Sequence, residues 1–533
     1  MTPLDALIRS LARRGVRRMF GVPGGETSLD AIAAASAAGI DFVLARHETG
    51  AAIMALATAE VTGTPGVLLT TRGPGLANAA NGIACAALER APLCVVSDGF
   101  SAEHRRFVTH QFFEHADLLA PVAKGSSRLD GADAAAEVER LLDAAMAAPS
   151  GVVHFDVTGD AVRREVPAAD PVPQADPAPD AAALAAARAL VAGARRPIVI
   201  AGVEAAADPA LADSVRRFAA ACGCPALVTY KAKGVIADDD PAFVGHFTGG
   251  SAEAAAVGEA DLILLAGLDP VELIPQAWRY RAPVIEIARR AFPVRYVEPA
   301  AGLYGAPAAA LAALVPDGRS AWTADAIARH RDAMRARLAW TGQGALTPSA
   351  IVAATAATAA ALGLDPRVTV DAGAHMFSAM ALWPARRPRD LLISNGLSTM
   401  GFALPAAIGA ALAEPERSVV AFTGDGGLAM ALGELATAAQ TGARVVVVVF
   451  NDRALSLIDI KQRHRQMRRD GVDLGAVDFA AVARGMGVPG YRATDPAQYR
   501  DALEAALRSG GPAVIDAAVE PDGYLDQMLA LRG

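Results

Sequence analysis

The stretch VVAFTGDGG at 419–427 runs into the helical segment LAMALGELATAAQTGA and then into RVVVVVFND, which ends at 452. It restricts the fold more than any other part of the chain. An apolar run, a glycine-rich turn, a helical pattern and an all-valine run read as strand, turn, helix, strand. Two strands joined through a helix pair in parallel, because only a long crossover can bring the chain back in the same direction. Gly424 and Gly426 let the backbone wrap a phosphate, whose oxygens can take peptide N–H groups at the helix start. Asp425 is a hard oxygen ligand suited to Mg²⁺. The second strand ends at Asn451-Asp452, 27 residues after Asp425. The crossover returns the chain to the same edge of the sheet, so both carboxylates can meet one cation. A GDG turn alone is more often an ordinary strand-to-helix turn with solvated acids. The Asn-Asp pair at this distance, after a valine strand, favours the phosphate-and-cation reading.

The same alternation recurs along the chain. At about 100–200 residues per domain, 533 residues predict three domains. Strands are expected at 17–21, 41–45, 66–71, 92–98 and 151–157, with helices at 4–14 and 27–38. The proline- and alanine-rich stretch 165–182 has no periodicity and reads as an exposed linker. A second set of strands is expected at 196–202, 225–230, 261–267 and 283–288. A third set is expected at 367–373, 391–395, 418–426, 444–452 and 512–519. The fold class is therefore α/β, with three parallel-sheet domains at 1–165, 183–335 and 345–533 and a linker at 166–182. Hydrophobic residues make up 53% of the chain, enough to fill three cores. The net charge of −8 lacks the basic excess of a nucleic-acid binder. No run of about 18 uncharged apolar residues suggests a membrane span. The charged, amphipathic start MTPLDALIRSLARRG does not read as a signal peptide, so a cytoplasmic protein is expected. Cys85, Cys94, Cys222 and Cys224 fit neither a disulfide framework nor a zinc or redox spacing, and read as buried small residues.

With GDG and Asn-Asp in place, the chain resembles the thiamine-diphosphate (ThDP) enzymes. The resemblance covers nearly the whole chain and is strongest to the acetolactate synthase group, particularly its catabolic, FAD-independent members. It rests on FGVPGGETSLDAI, RHETGAAIMA, GPGLANAANGIA, THQFFEHADLLAPVAK, DLILLAGLDPVEL, LLISNGLSTMGFALPAAIGA and GDGGLAMALGELATA. It implies a first domain that binds the aminopyrimidine, a central Rossmann-like domain and a third domain that binds the diphosphate. It also implies Mg²⁺, with Asp425, Asp452 and the backbone carbonyl of Ala454 as protein ligands. Asp452 stands where the family usually has a second Asn, which leaves an oxygen ligand with one more negative charge.

The resemblance makes Glu48 the carboxyl group that works against the aminopyrimidine ring, where it promotes formation of the carbon nucleophile. Read alone, a helix-start Glu is a solvated dipole partner. Neighbouring His47 is expected to support packing or hydrogen bonding. Met400 matches the bulky residue that props the cofactor into a bent shape, a proximity effect. Gly73, Pro74 and Asn78 match a turn that faces the cofactor from the partner chain. Gly373, Ala374, His375, Ser398, Gly424, Gly426, Gly427, Leu455, Ser456 and Leu457 complete the implied cofactor set. His110 and Gln111 match a His-Gln pair of acetolactate synthases, with Gln111 near the substrate. Leu457 and Ile458, with Leu455, are expected to line an apolar acyl pocket. The other histidines show no spacing that argues for a metal site. The central block has no GxGxxG after its first strand, so no FAD is expected.

The implied reaction is decarboxylation of a 2-oxo acid, by default pyruvate, with transfer of the acyl anion to a second carbonyl. A 2-oxo acid decarboxylase or aldehyde carboligase, like benzoylformate decarboxylase or benzaldehyde lyase, would share every cofactor residue named. SLIDIKQ after the metal turn lacks the tryptophan of biosynthetic acetohydroxyacid synthases. A non-catalytic ThDP-binding regulatory protein is the alternative from another class, and retention of Glu48 argues against it. A homodimer is implied as the minimum, and a homotetramer as the fuller assembly.

Overall fold

The computed structural model describes residues 1–171, 175–274 and 276–532. It contains three six-stranded sheets in which every pairing between strands is parallel. The first comprises β1 (Arg18–Val22), β2 (Asp41–Leu44), β3 (Gly66–Thr70), β4 (Leu93–Asp98), β5 (Ala123–Ser127) and β6 (Val152–Val157), in the order β2-β1-β3-β4-β6-β5. The second comprises β7 (Pro197–Ala201), β8 (Ala226–Val228), β9 (Phe243–His246), β10 (Leu262–Ala266), β11 (Val284–Ala288) and β12 (Ala301–Tyr304), in the order β12-β11-β10-β7-β8-β9. The third comprises β13 (Arg367–Val370), β14 (Leu391–Ile393), β15 (Val419–Gly424), β16 (Val445–Asn451), β17 (Gly490–Ala493) and β18 (Ala513–Ala518), in the order β14-β13-β15-β16-β18-β17. No helix or strand forms over 166–171 or 175–180, in the expected linker; its residues 172–174 lie outside the described residues.

Central strands are buried on both faces, as parallel sheets covered by helices require. In the third sheet the two faces have different neighbours. Val419, Ala421, Val445, Val447 and Val449 join a core shared with the first sheet's helices. Val420, Phe422, Val446, Val448 and Phe450 join a core shared with the middle sheet. The period-2 alternation of strand side chains thus sends one apolar run into two cores.

The expected strands form with ends displaced by at most three residues. Four further strands appear: β5, β9, β12 and β17. All four end a sheet: β5 the first, β9 and β12 the second, and β17 the third. Edge strands pair on one side only, so they need no continuous apolar run, and AKGSS or GYRA carry little strand signal. Local chemistry ends the helices. Asp495 caps Pro496–Ser509 through the N–H groups of Ala497 and Gln498, both 2.9 Å away, and Gly510 closes it at φ 69°. All four cysteines are buried free thiols.

The first and third domains meet through the helices Glu48–Thr62 and Ala403–Ala413. Ala51 to Ala57 are all fully buried there. Small residues let the two backbones approach closely: a Cβ at Gly409 would stand 2.3 Å from the Met54 carbonyl oxygen. Gly409→Ala should therefore push these helices apart and lower the unfolding free energy by about 1–3 kcal/mol, the usual cost of overpacking. Urea unfolding measures this, and wild-type stability in the variant would contradict the close contact.

Candidate active site

Strand β15 delivers the GDG turn and β16 delivers the Asn-Asp turn, in direct register from Val419↔Val445 to Gly424↔Phe450. The turn is also the start of the helix Asp425–Ala431, with Gly424 as N-cap. The expected single helix after it is two helices, Asp425–Ala431 and Glu434–Thr441, interrupted at Leu432 and Gly433. Asp425 is 5% exposed; its Oδ1 accepts the Gly426 N–H at 2.8 Å, and its Oδ2 is buried without a hydrogen-bond partner. The N–H groups of Arg453 and Ala454 also face this carboxylate. Asp452 accepts from Ala454 N at 3.2 Å and from the Ser456 hydroxyl at 2.6 Å. Burial pushes the Asp452 carboxyl up to about 7, and the Asp425 charge beside it adds to the effect. Burial raises the Asp425 carboxyl as well. Two carboxylates brought together, one with a buried lone oxygen, make a donor set that fits a hard divalent cation. Asn451 turns away, donating to Asp516 at 2.8 Å.

The surroundings of this turn are tight. A Cβ at Gly426 would lie 3.0 Å from Leu455 Cδ2 and 3.3 Å from Met400 Cε, so these two side chains converge on it. A Cβ at Gly427 would lie 2.4 Å from Asp371 Oδ2. His375 opens the helix His375–Leu382 and stacks on Phe450, with ring centroids 5.1 Å apart. Burial holds its imidazole down to about 4, and its Nε2 has no partner. Gly373 is required beside it, because a Cβ there would meet the ring at 2.7 Å. Ala374 is the N-cap of that helix. Ser398 is exposed, at φ 55°, and donates to the Asn395 carbonyl. Leu457 is half-buried against the core of the third sheet, and Ile458 is 45% exposed.

Glu48 begins the helix Glu48–Thr62, whose N-cap His47 accepts the Thr49 N–H through Nδ1 at 3.1 Å. The Glu48 side chain is buried and accepts from Asn78 Nδ2 at 3.2 Å. Gly73, Pro74 and Gly75, which the resemblance placed in a turn, form the first turn of the helix Gly73–Leu88. His110 and Gln111 are exposed in the single chain, and the Gln111 backbone, at φ 54°, leans on Gly73.

Three groups absent from the sequence-level candidates hold this arrangement. Asp371, at the carboxyl end of β13, accepts from the Thr423 hydroxyl at 2.8 Å and from Gly401 and Phe402 N–H at 3.2 Å. It ties the Met400 loop to the GDG turn, and burial pushes its carboxyl up to about 6. An acid followed by Ala-Gly at the end of an apolar strand was the available signal. Glu434 accepts the N–H groups of Arg46 and His47, just before Glu48, and thus links the third domain to the first. His115, His154 and Asp156 form a buried cluster. Gly73 N–H donates to His115 Nε2 at 3.1 Å, so the Nδ1–H of the neutral ring donates to Asp156 at 2.7 Å. Ser97 donates to Asp156 and lies 2.7 Å from His154 Nε2. Hydrogen bonds account for these groups except His154 Nδ1, which has no partner, and no sequence spacing signals them because they come from four separate segments.

Removing the Asp371 carboxylate leaves three amides (Ala372, Gly401 and Phe402) and a hydroxyl without their acceptor. Asp371→Ala should lower the unfolding free energy by about 1–3 kcal/mol and accelerate hydrogen exchange at Gly401 and Phe402. Unchanged exchange at both amides would show that Asp371 does not hold the loop.

Comparison with known proteins gives the family. Family models for thiamine pyrophosphate enzymes match in chain order: the N-terminal TPP binding domain over residues 1–120, the central domain over 184–314 and the C-terminal TPP binding domain over 371–517. The chain is 32% identical to a catabolic acetolactate synthase of Raoultella terrigena, over 99% of this chain and 96% of the relative. It is 29% identical to an acetolactate synthase of Bacillus subtilis, over 97% and 93% of the two chains. It is 32% identical to a "probable 2-ketoarginine decarboxylase" of Pseudomonas aeruginosa, over 96% and 92%. With three matched domains around one GDG–Asn-Asp unit, the chain belongs to the thiamine-diphosphate-dependent enzymes, in the acetolactate synthase group.

Proposed function

We propose that the protein decarboxylates pyruvate and joins the acyl unit to a second 2-oxo acid, giving 2-acetolactate, with ThDP and Mg²⁺ as cofactors. The observation that carries this reading is the pairing of buried Asp425 with half-buried Asp452 beside a glycine turn, where Asp425 Oδ2 has no hydrogen-bond partner. Asp425, Asp452 and the Ala454 carbonyl would hold Mg²⁺ against the diphosphate, with Gly424, Gly426 and Gly427 giving the backbone its close approach. Bound ThDP supplies a carbon nucleophile and an electron sink. Glu48 would exchange a proton with the aminopyrimidine of bound ThDP, its carboxyl oriented by the Asn78 amide. Met400 and Leu455 shape the floor of the site, His375 offers an unpartnered ring nitrogen beside Gly424, and Gln111 contacts the substrate.

The reading without FAD is supported by Glu272. Its Oε2 takes the Val203 and Asp269 N–H groups at 2.9 and 3.0 Å. These amides follow β7 and β10, where the middle sheet's strand order reverses and a dinucleotide would place its phosphates. The carboxylate already fills them, so these residues do not fit that cofactor.

A second reading, decarboxylation without ligation, is favoured by the decarboxylase relative. Incubation with pyruvate, ThDP and Mg²⁺ followed by mass spectrometry separates the two: acetolactate supports the proposal, and acetaldehyde alone replaces it. Glu48→Gln should lower turnover at least about 10²-fold, the low end for proton-transfer catalysis, while ThDP still binds.

No helix among the described residues is long and apolar enough to cross a membrane, and we place the enzyme in the cytoplasm. We further propose that first and third domains of different chains share each site, in a homodimer that pairs into a homotetramer. Glu48→Gln and Asp425→Ala chains, each inactive alone, should recover activity when mixed, because a hybrid dimer regains one intact site. Proven chain exchange without recovery would overturn the shared site.

A further inference from the structure

Between the three domains lies a cluster of four charged side chains that the chemistry above does not use. Lys231, just after β8 of the middle sheet, is 4% exposed. Its ammonium pairs with Glu60, lies 3.3 Å from Glu89 Oε2 and donates to the Ile393 carbonyl at 3.2 Å. Arg389 lies 3.3 Å from Glu60. Two cations and two anions therefore balance inside the protein.

Both acids occupy places that oppose their charge. Glu60 lies in the last turn of the helix Glu48–Thr62, and Glu89 is the C-cap of Gly73–Leu88. Helix C-termini carry partial negative charge, which disfavours a carboxylate. Burial adds a desolvation penalty that only close cations and hydrogen bonds offset. Burial also works against the Lys231 charge, but Glu60 and Glu89 reverse this and hold the ammonium above its ordinary range.

Glu89 holds more than the lysine. Its Oε1 accepts the Ser394 hydroxyl at 2.9 Å, Gly396 N–H at 2.9 Å and Leu397 N–H at 3.2 Å. Ser394 in turn accepts Thr399 N–H at 3.1 Å. The loop is pressed so close that a Cβ at Gly396 would lie 2.3 Å from the Leu88 carbonyl oxygen. Its next residue after Thr399 is Met400, whose Cε packs at Gly426 of the GDG turn.

We propose that Lys231 is a positioning residue: the middle domain supplies the cation that keeps Glu89 in place, and Glu89 in turn holds the Met400 loop against the cofactor site. This rests on the reading of Met400 as the cofactor's prop. It gives the middle domain a part in cofactor binding that needs no ligand of its own.

The test compares ThDP half-saturation, followed by near-UV circular dichroism in the presence of Mg²⁺, with the thermal midpoint of the cofactor-free protein. Lys231→Met should raise the half-saturating ThDP concentration about 10–100-fold, the usual effect of a supporting residue behind a site, and lower the midpoint. Adding Glu60→Gln leaves Arg389 as the cluster's one cation and Glu89 as its one anion, so Arg389 can take over from Lys231 and both affinity and midpoint should recover. Adding Glu89→Met also rebalances the charges but removes the loop's acceptor, so the midpoint should recover while affinity stays low. Unchanged ThDP affinity in folded Lys231→Met, or full affinity in Lys231→Met/Glu89→Met, would overturn the proposal. If Lys231→Met does not fold, the two double variants decide: equal ThDP affinity in both defeats it. Failure of the wild-type protein to bind ThDP would instead strike the proposed function itself.

Discussion

Burial of the third sheet on both faces is the constraint on which the rest of the molecule depends. Alternate residues of β15 and β16 enter two different cores, one closed by helices of the first domain and the other by the middle domain. In a sheet covered this way β16 cannot slip in register without turning its five valines and a phenylalanine toward the wrong neighbours. That rigidity is transmitted to the ends of the two strands, where the GDG and Asn-Asp turns stand side by side. The site is accurate because it sits at the end of a doubly buried sheet.

The cost of this arrangement is concentrated in buried acids. Asp371, Asp425, Asp452, Glu434 and Glu272 all have carboxyl groups raised by burial. Each does local work that an apolar residue could not. Asp371 and Glu434 bind backbone amides and fasten loops to one another, Glu272 fills amides at the reversal point of the middle sheet, and the Asp425 charge acts on Asp452. Charge concentrated against its solvation preference marks functional places, and here the marks trace the joins between domains as well as the site.

Alanine-rich helices make those joins possible. The helix Glu48–Thr62 is covered almost all round, and Gly409 lets Ala403–Ala413 lie against its backbone. One helix therefore carries Glu48 at its start, a domain interface along its length and Glu60 at its end. Few aromatic residues, 5% of the chain, suit joins in which helices approach one another at short range.

Much of this was legible in the sequence. Apolar runs broken by helical patterns determined the central strands, their parallel pairing and the division into three sheets, because backbone pairing needs only local pattern and a crossover. GDG and Asn-Asp at their spacing determined which two turns meet, because a βαβ unit returns the chain to one edge. The edge strands β5, β9, β12 and β17 were not legible, since a strand paired on one side needs no apolar run. Nor were the partners of Glu48 and of the loops: Asn78 is 30 residues away, Asp371 answers to Thr423 and Phe402, and Lys231 reaches Glu89 from another domain. Only the tertiary structure decided these, because a hydrogen bond or an ion pair between distant segments depends on distance in space, which no local pattern encodes.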